Sequence, residues 1–331
     1  MNQKGKSVLV TGGAGYIGSH TCKILHQNGY TPVTFDNLST GHRDNVQWGP
    51  FVEGDLSDVS FLEETIKQFN ISSVVHFAAS AYVGESILHP MKYFNNNVSG
   101  TLCLLEAMLS CQVRSIVFSS TCATFGIPDK LPIAEDADQS PINPYGESKL
   151  FLEKVLRWYQ KAYGLNWVAL RYFNAAGADP DGELGEQHDP ETHLIPLVIL
   201  ACQQQSDTLA IFGSDYPTKD GTAIRDYIHV TDLARAHVLA LNHLNHHGSS
   251  LALNLGTGQG YSVKEVVREV ERVSGKICPV EVKPRREGDP AILIANPDRA
   301  NAILKWHPEF SGLATIIETA WKWHNRQSKI K

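Results

Sequence analysis

The sequence predicts an α/β protein built on a doubly wound parallel sheet, with a smaller mixed α/β region toward its C-terminal end. Short apolar runs alternate with amphipathic helical patterns through the first half of the 331-residue chain, as they do in parallel sheets covered by helices on both faces. A glycine-rich turn joins the first strand to the first helix. Polar or small residues follow several strands, at the edge where such sheets bind ligands.

The first strand, residues 8–10, leads through Thr11-Gly12-Gly13-Ala14-Gly15-Tyr16-Ile17-Gly18 into a helix. These glycines match G-x-G-x-x-G, which permits a tight turn and close approach of the backbone to a pyrophosphate. A second strand, residues 31–35, ends in Asp36, near the spacing at which a carboxylate binds the adenosine ribose. A plain glycine loop is the alternative, and Asp36 argues against it. We therefore predict a Rossmann-type dinucleotide site.

The later elements of the first half continue the alternation. Strands are predicted at residues 51–54, 73–77, 115–118 and 166–171, and helices at 58–69, 90–109 and 143–163. Asn143 is a favourable N-cap, Pro144 suits the first turn, and Gly164 ends the last of these helices. Asp55, Ala78 and the hydroxyls that follow residue 118 come after strands, so the sequence predicts that they share one edge of the sheet.

The chain is predicted to form two joined units. We assign residues 1–175 to a dinucleotide-binding domain and residues 176–331 to a substrate domain, with elements interleaved across the boundary. In the second unit, residues 209–212 and 252–255 are strand-like, and residues 231–244 and 263–273 are helix-like. Residues 179–193 form a loop rich in Gly, Pro and acids. Its acids do not match D-x-D-x-D-G, so no metal is expected.

Composition excludes several classes of protein. Hydrophobic residues make up 42% of the chain, which excludes general disorder, and the net charge of −6 without a basic run argues against binding to nucleic acid or to a membrane surface. We see no signal-peptide pattern and no apolar run long enough to span a bilayer. The six cysteines are scattered without C-x-x-C pairs, so we expect reduced thiols and a cytoplasmic location.

The chemistry is predicted to reside in Thr121, Tyr145 and Lys149. Tyr145 and Lys149 are four residues apart on a helix and therefore share a face. A tyrosine base requires a pKa roughly three units below its usual value of about 10. Two nearby cations can lower it, Lys149 and the oxidised nicotinamide ring of a bound dinucleotide. Thr121, at a strand end, can hydrogen-bond the same substrate oxygen. Two unrelated residues of a helix are the alternative, but the preceding dinucleotide pattern argues against it.

The sequence resembles the UDP-sugar 4-epimerases of the extended short-chain dehydrogenase/reductase superfamily over almost the whole chain. The first-half motifs are typical of the superfamily. They are Thr11-Gly12-Gly13-Ala14-Gly15-Tyr16-Ile17-Gly18-Ser19-His20, Asp36-Asn37-Leu38, Val83-Gly84-Glu85-Ser86, Asn96-Asn97-Val98 and Tyr145-Gly146-Glu147-Ser148-Lys149. The second-half motifs are typical of the epimerase group. They are Arg171-Tyr172-Phe173-Asn174, Leu209-Ala210-Ile211-Phe212-Gly213, Arg225-Asp226-Tyr227-Ile228-His229-Val230 and Arg285-Arg286-Glu287-Gly288-Asp289.

The resemblance implies reversible 4-epimerisation of UDP-glucose and UDP-galactose with tightly bound NAD. Tyr145 would remove the proton of the sugar 4-hydroxyl while the 4-hydride passes to NAD, and the 4-keto sugar would turn over before the hydride returns. Thr121 would assist, and Lys149 would tune Tyr145 and hold the nicotinamide ribose. The resemblance also implies a homodimer formed through the helices near residues 90–109 and 145–163.

The family pattern places further residues in the two binding sites. The residues implied for NAD are Gly12, Gly15, Tyr16, Ile17, Gly18, Asp36, Asn37, Asp55, Leu56, Phe77, Ala78, Ala79, Asn97, Ser119, Tyr145, Lys149 and Tyr172. Those implied for the UDP-hexose are Thr121, Asn174, His193, Leu194, Phe212, Arg225, Tyr227, Arg286, Asp289 and Leu293. Two arginines suit a diphosphate electrostatically.

Three positions depart from the family pattern. Ala81 stands where many relatives have a lysine that contacts the cofactor, and His193 stands where others have a substrate-binding asparagine. Leu293 occupies a position that is tyrosine in some relatives and small in others. Leucine is intermediate in size, so we expect UDP-glucose and UDP-galactose to be preferred, with weak turnover of their N-acetyl forms.

Other functions compete with this interpretation. A 4,6-dehydratase would carry Asp-Glu just after the strand-end hydroxyl, but Thr121 is followed by Cys122-Ala123. A UDP-glucuronate 4-epimerase or decarboxylase, or a UDP-N-acetylglucosamine 4-epimerase, remains open because each could use the same tyrosine and lysine. A non-catalytic NAD-sensing protein is a further alternative, although such proteins usually lack Tyr145 or Lys149.

Overall fold

The computed structural model describes residues 6–205, 208–247, 249–286 and 288–327, with the backbone alone of residue 247. Glu287, which belongs to the motif that begins at Arg285, lies outside these residues. The first residues of the first predicted domain and the last residues of the second also lie outside them. The strands are β1 (Ser7–Thr11), β2 (Thr31–Asp36), β3 (Phe51–Glu53), β4 (Ile71–His76), β5 (Ser115–Thr121), β6 (Asn166–Tyr172), β7 (Asn174–Ala176), β8 (Leu209–Phe212), β9 (Ile224–Arg225), β10 (Tyr227–His229), β11 (Leu251–Leu255), β12 (Tyr261–Ser262), β13 (Val280–Lys283) and β14 (Ile292–Leu293). The α-helices are α1 (Tyr16–Gln27), α2 (Val59–Gln68), α3 (Val83–Leu88), α4 (Pro90–Tyr93), α5 (Gly100–Ser110), α6 (Pro144–Tyr163), α7 (Leu194–Cys202), α8 (Val230–His247), α9 (Val263–Ser274), α10 (Asp298–Leu304) and α11 (Leu313–Gln327).

The predicted parallel sheet is confirmed. Seven strands lie in the order β3-β2-β1-β4-β5-β6-β11, and each neighbouring pair is parallel. Their central residues are buried on both faces, which explains why the sequence shows continuous apolar runs instead of alternation. The order of connection reverses between β1 and β4. Parallel sheets bind ligands at such a reversal, beyond the carboxyl ends of the strands.

Helices cover both faces of this sheet. On one face, α1 and α8 pack together over Val10, Val117 and Leu253. On the other face, α2, α5 and α6 pack over Leu9, Val74 and other strand residues. Both β11 and α8 come from the second half of the chain, so the main core is built from both predicted units. The division at residue 175 itself stays a prediction.

The smaller region is assembled from helices α7, α9 and α11 and three short groups of strands. β7 pairs with β10, β8 pairs with β13, and β9 lies between β12 and β14. A separate apolar cluster that includes Ile195, Val270 and Ile317 fills the space between the helices. The smaller region therefore has an apolar core of its own, in addition to the two clusters that cover the faces of the main sheet.

The prediction of one continuous helix over residues 90–109 is wrong, because the middle of this stretch is not an α-helix. Phe94–Ser99 is a π-helix between α4 and α5. The Thr101 hydroxyl donates a hydrogen bond of 2.5 Å to the carbonyl of Asn97 within this stretch. Turns of this type recur at functional sites because the extra residue redirects a side chain, and Asn97 is the buried residue of this one.

Helices α3, α7, α10 and α11 were not predicted. Residues of α7 are apolar on every side, so they give no 3.6-residue period by which a helix could be recognised. The loop over residues 179–193 contains no helix or strand, as predicted. Across the helices of the described ranges, none is both long and apolar enough to cross a membrane.

Candidate active site

The glycine turn between β1 and α1 passes so close to the residues after β4 that no side chain fits at Gly12. Gly12 has a φ of +71°, and a Cβ atom there would lie 2.6 Å from the nitrogen of Ala78. The N–H groups of Phe77 and Ala78 both donate to the carbonyl of Thr11. Gly12, Ala78 and the backbone of Phe77 therefore form a cradle at the reversal of strand order, which fits the approach of a dinucleotide pyrophosphate.

Asp36 lies at the end of β2 beside this cradle. Its carboxylate accepts N–H groups from Ala14 at 3.0 Å and from Leu38 at 2.9 Å. Burial raises the pKa of Asp36, and these hydrogen bonds oppose the increase. At the neighbouring strand end, the Asn37 amide donates to Asp55 at 2.8 Å. The structure thus brings Asp36, Asn37 and Asp55 to one edge of the sheet, as the sequence predicted.

The three predicted catalytic side chains meet at the carboxyl end of β5. Tyr145 and Lys149 lie in the first turns of α6, where Asn143 caps the helix by accepting the N–H of Gly146 at 2.8 Å. The Lys149 ammonium donates to the carbonyl of Ser119 at 2.8 Å. Thr121 ends β5, and its hydroxyl lies close to Tyr145. All three are at least nine-tenths buried.

The electrostatics of the chain alone differ from the predicted lowering of the Tyr145 pKa. Burial raises that pKa far above its ordinary value, and the nearby Tyr172 adds to the increase, while the hydrogen bond with Thr121 opposes it. Burial also lowers the pKa of Lys149 to about 7, which weakens this lysine as a cationic partner. The Lys149 nitrogen lies 6.0 Å from the centre of the Tyr145 ring. A second cation is therefore needed to lower the pKa of Tyr145.

Asn97 joins the catalytic helix to the loop that follows β4. Its amide oxygen accepts the N–H of Ser80 at 2.8 Å, and its amide nitrogen donates to the Ser80 carbonyl at 3.0 Å. The same nitrogen contacts the hydroxyl of Ser148 at 3.1 Å. The side chain predicted to contact the cofactor is thus engaged within the protein. Ala79 lies on the loop that Asn97 holds in place.

The second unit contributes a separate group of charged and aromatic residues. Arg225 in β9 contacts Asp289 at 2.5 Å. The Arg286 guanidinium lies 4.1 Å from the centre of the Phe212 ring. Asn174 donates its amide to the carbonyl of Asp226 at 3.0 Å. These pairs place an aromatic face, two guanidinium groups and a carboxylate within one part of the fold, a combination suited to a base, a diphosphate and a ribose.

Leu293 lies in β14 directly opposite Arg225 in the parallel register. It is half-buried and packs against a small apolar cluster that contains Phe125 and Phe173. Leu293 therefore lies in an extended segment and borders Cys122, which follows Thr121. Tyr227 is buried in β10, and Leu194 begins α7.

His193 has different partners from those expected. Its Nδ1 atom lies 2.9 Å from Glu186 and 3.0 Å from Glu191, so this edge of the ring points toward two carboxylates. Contact of His193 with the substrate stays a prediction.

Two supporting residues were missed. Glu153 is completely buried and receives hydrogen bonds from Arg171 at 2.9 and 2.6 Å and from Ser120 at 2.6 Å. Its position four residues after Lys149, on the same face of α6, was a usable signal. Asp226 accepts N–H groups of Thr257 and other loop residues, and its signal was the acid within the motif that contains Arg225.

The comparisons with known proteins agree with this geometry. Residues 8–256 match the model of the NAD dependent epimerase/dehydratase family. The chain therefore belongs to that family.

Relatives of the chain belong to a narrower group within this family. The chain is 51% identical to a UDP-glucose 4-epimerase of Halalkalibacterium halodurans, over 96% of this chain and 95% of the relative. It is 56% identical to the UDP-glucose 4-epimerase of Brucella ovis solved in complex with NAD, with a TM-score of 0.94 and coverage of 96% and 98%. It is 37% identical to the enzyme of Bifidobacterium longum solved with NAD+ and UDP, with a TM-score of 0.93 and coverage of 98% and 99%. The resemblance to UDP-sugar 4-epimerases is confirmed.

Proposed function

We propose that the protein interconverts UDP-glucose and UDP-galactose by 4-epimerisation with bound NAD. The observation that carries this proposal is the convergence of Thr121, Tyr145 and Lys149 beside the glycine cradle of Gly12. The similarity to UDP-glucose 4-epimerases over nearly the whole chain supports it.

NAD, when bound, supplies a hydride acceptor and donor for C4 of the sugar. The chain would hold its pyrophosphate at the turn containing Gly12 and Gly15 and its adenosine ribose at Asp36. Asp36 favours NAD over NADP because a 2′-phosphate would be repelled by the carboxylate. Asn97 acts as a positioning residue, since it fixes the loop carrying Ala79 against α6.

Tyr145 takes the proton from the sugar 4-hydroxyl and returns it when the opposite epimer forms. Thr121 lies beside it and orients the same oxygen. Lys149 faces the Tyr145 ring and is fixed by the Ser119 carbonyl, so its ammonium is held at a constant distance from the phenol. The buried position of all three keeps water away from the proton during transfer.

The second unit would hold the UDP part. Arg225 and Arg286 are the cations available for the diphosphate, and Phe212 offers its ring to the base. Asp289, held by Arg225, is placed to accept from a ribose hydroxyl. We assign Leu293 to the sugar pocket because its neighbours Phe125 and Phe173 adjoin the residues around Thr121.

The experiment is a product assay with no added cofactor. The purified chain should interconvert UDP-glucose and UDP-galactose, and NAD should be recovered from it after denaturation. Parallel reactions with UDP-N-acetylglucosamine, UDP-N-acetylgalactosamine and UDP-glucuronate decide between the related functions. Epimerisation or decarboxylation of UDP-glucuronate alone, recovery of mostly NADP, or binding of NAD without any turnover would contradict the proposal.

We further propose a homodimer through the surface formed by α3, α4, the start of the π-helix and α6. This surface exposes large apolar side chains: Ile87, Leu88, Met91, Phe94, Phe151 and Trp158. Contiguous apolar surface of this kind marks an interaction site, and a two-fold axis would bury it against itself. Leu88→Glu with Met91→Glu should give a monomer in light scattering, whereas Ile277→Glu, at a site 86% exposed elsewhere, should not. A wild-type monomer would exclude the dimer.

A cytoplasmic location is also proposed. Its support is that the cysteines remain free thiols in the structure, as the sequence predicted for a reducing compartment. Fractionation of the source cells with an antibody against the chain would test it.

A further inference from the structure

Four side chains in the loop between β7 and α7 converge on one point. Glu186, His188, Glu191 and His193 each direct one oxygen or nitrogen atom inward, and these atoms all lie within 4.8 Å of one another. The two carboxylates are only 5% and 10% exposed. This cluster is separate from the residues proposed to perform the proton transfer.

The spacing of the four atoms matches the coordination of a metal ion. The Nδ1 atom of His193 lies 2.9 Å from Glu186 and 3.0 Å from Glu191. The Nδ1 atom of His188 lies 3.1 Å from Glu186 and 3.7 Å from Glu191. In a tetrahedral zinc site with bonds of about 2.0–2.2 Å, neighbouring ligand atoms are roughly 3.3–3.6 Å apart. The four measured distances bracket that separation.

A buried nitrogen provides the second observation. Nδ1 of His188 is buried and makes no hydrogen bond, although it is close to the Glu186 carboxylate. A buried nitrogen that makes no hydrogen bond is costly, and a metal ion would use its lone pair. Glu191 is oriented for the same purpose, because one of its oxygens accepts the N–H groups of Thr192 and His193 at 2.8 Å. Its other oxygen faces His188.

A neighbouring cluster in the same loop shows the contrast. Asp179, Asp181 and Glu183 surround the ammonium of Lys23 at 2.7–2.9 Å, so that cluster already holds a cation. Among the residues with described side chains, the ion pairs of Glu186 and Glu191 involve only the two histidines. Once a metal ion replaces the protons on the two imidazoles, the two carboxylates would balance the charge of a divalent cation.

We propose that Glu186, His188, Glu191 and His193 bind one divalent transition-metal ion, foremost Zn²⁺. Mixed imidazole and carboxylate ligands favour zinc over Mg²⁺ or Ca²⁺, which prefer oxygen alone. Four protein ligands leave no open coordination position, so the metal is structural. The expectation of no metal rested on the calcium-loop spacing, which a site of histidine and glutamate does not use.

The metal would fasten the loop against the glycine turn. The His188 ring lies 6.2 Å from the ring of Tyr16 and 5.9 Å from that of Tyr82. The hydroxyl of Tyr16 donates to the Gly177 carbonyl at 2.6 Å, at the start of the same loop. Zinc would therefore hold this connection near α7, while the Tyr16 hydroxyl already holds it at Gly177.

The test uses the full chain without an affinity tag, stripped with a chelator and dialysed. Titration with ZnCl₂ should bind one ion per chain and raise the melting temperature, whereas MgCl₂ should do neither. X-ray absorption of the zinc-loaded protein should show nitrogen and oxygen ligands at about 2.0–2.2 Å and no sulfur. These readouts do not require turnover, so they stand apart from the proposed epimerase activity.

Substitutions identify the ligands. His188→Gln and Glu191→Gln should each weaken zinc binding by more than about 10- to 100-fold, the loss that changes outside the coordination shell typically cause. His307→Gln, at an exposed histidine in another part of the chain, should bind zinc like the wild type. Less than stoichiometric zinc in the wild type, sulfur in the absorption spectrum, or equal affinity in His188→Gln would overturn the proposal. The spectrum of the wild type decides the case if a variant fails to fold.

Discussion

Tyr145 is a phenol held almost completely out of water. Burial alone opposes its ionisation, and Lys149, whose pKa is itself lowered to about 7, offsets this only partly. The positive charge that completes the base must therefore enter with a ligand. This arrangement would restrict proton abstraction to the loaded site, because Tyr145 is a poor base in the chain alone.

Tyr145→Phe should fold normally and retain bound NAD, yet its kcat should fall by about 10²- to 10⁴-fold, since only the general base is removed. Thermal unfolding, cofactor extraction and the epimerase assay measure the three properties. Tyr163→Phe, at the exposed end of the same helix, is the matched control and should retain activity. Near wild-type turnover by Tyr145→Phe would exclude this residue as the base.

Leu293 is expected to determine tolerance of a group at the sugar 2-position. Leu293→Ser should raise the ratio of kcat/KM for N-acetyl sugars to that for hexoses by about tenfold, and Leu293→Tyr should lower it. The neighbouring Ile292 alternates in direction along β14, so Ile292→Ser is the matched control. An unchanged ratio in both Leu293 variants would show that this side chain does not line the pocket.

At the scale of elements, α6 is fastened to the sheet by a buried charge network. Glu153 joins this helix to β5 through Ser120 and to β6 through Arg171. Tyr145, Lys149 and Glu153 follow one another at four-residue intervals on one face of α6. The network therefore fixes the rotation of the helix that carries the base.

Glu153→Gln should lower the free energy of unfolding by about 3–5 kcal/mol, because Arg171 would remain buried without its counter-charge. Chemical denaturation measures this change. Glu63→Gln removes a solvent-screened surface pair with Lys67 and should lower the free energy of unfolding far less. Equal effects of the two substitutions would show that the buried network is not a major source of stability.

Sequence reasoning succeeded where local pattern determines structure. The buried strands were predicted from their β-branched runs, and Tyr145 with Lys149 from a four-residue interval within one helix. It failed for α7, which is apolar all round, and for the π-helix that contains Asn97, whose extra residue leaves no periodic signal. Short strands such as β9 and β14 form through tertiary pairing. The cluster of Glu186 and His188 depends on the path of an irregular loop, which no spacing rule specifies.

At the scale of the whole molecule, several histidines are folded away from water. Burial lowers the pKa of His76 and His229 to about 3 and that of His237 to about 4. Their unfolded pKa is about 6.5, so below that pH the unfolded chain binds protons that the folded chain does not. These groups contribute no penalty above pH 6.5, and each destabilises the fold increasingly as the pH falls toward 4.

The free energy of unfolding should therefore decrease between pH 6.5 and 4, by roughly 1.4 kcal/mol per pH unit for each such histidine. Denaturation of the wild type at pH 7 and pH 5 measures this change. His237→Gln should show a decrease smaller by about 2 kcal/mol over that interval. Identical pH profiles for wild type and His237→Gln would contradict the assignment of a neutral buried imidazole.

The position of β11 at the edge of the main sheet has a consequence during synthesis. β6 ends at Tyr172, but its outer neighbour is not made until Leu255 has been added. At about 5–20 residues per second, the ribosome needs roughly 4–17 s to translate the intervening segment. Throughout that interval the emerging chain would present an unpaired apolar strand to other nascent chains. Chaperone demand should therefore peak before translation passes residue 255.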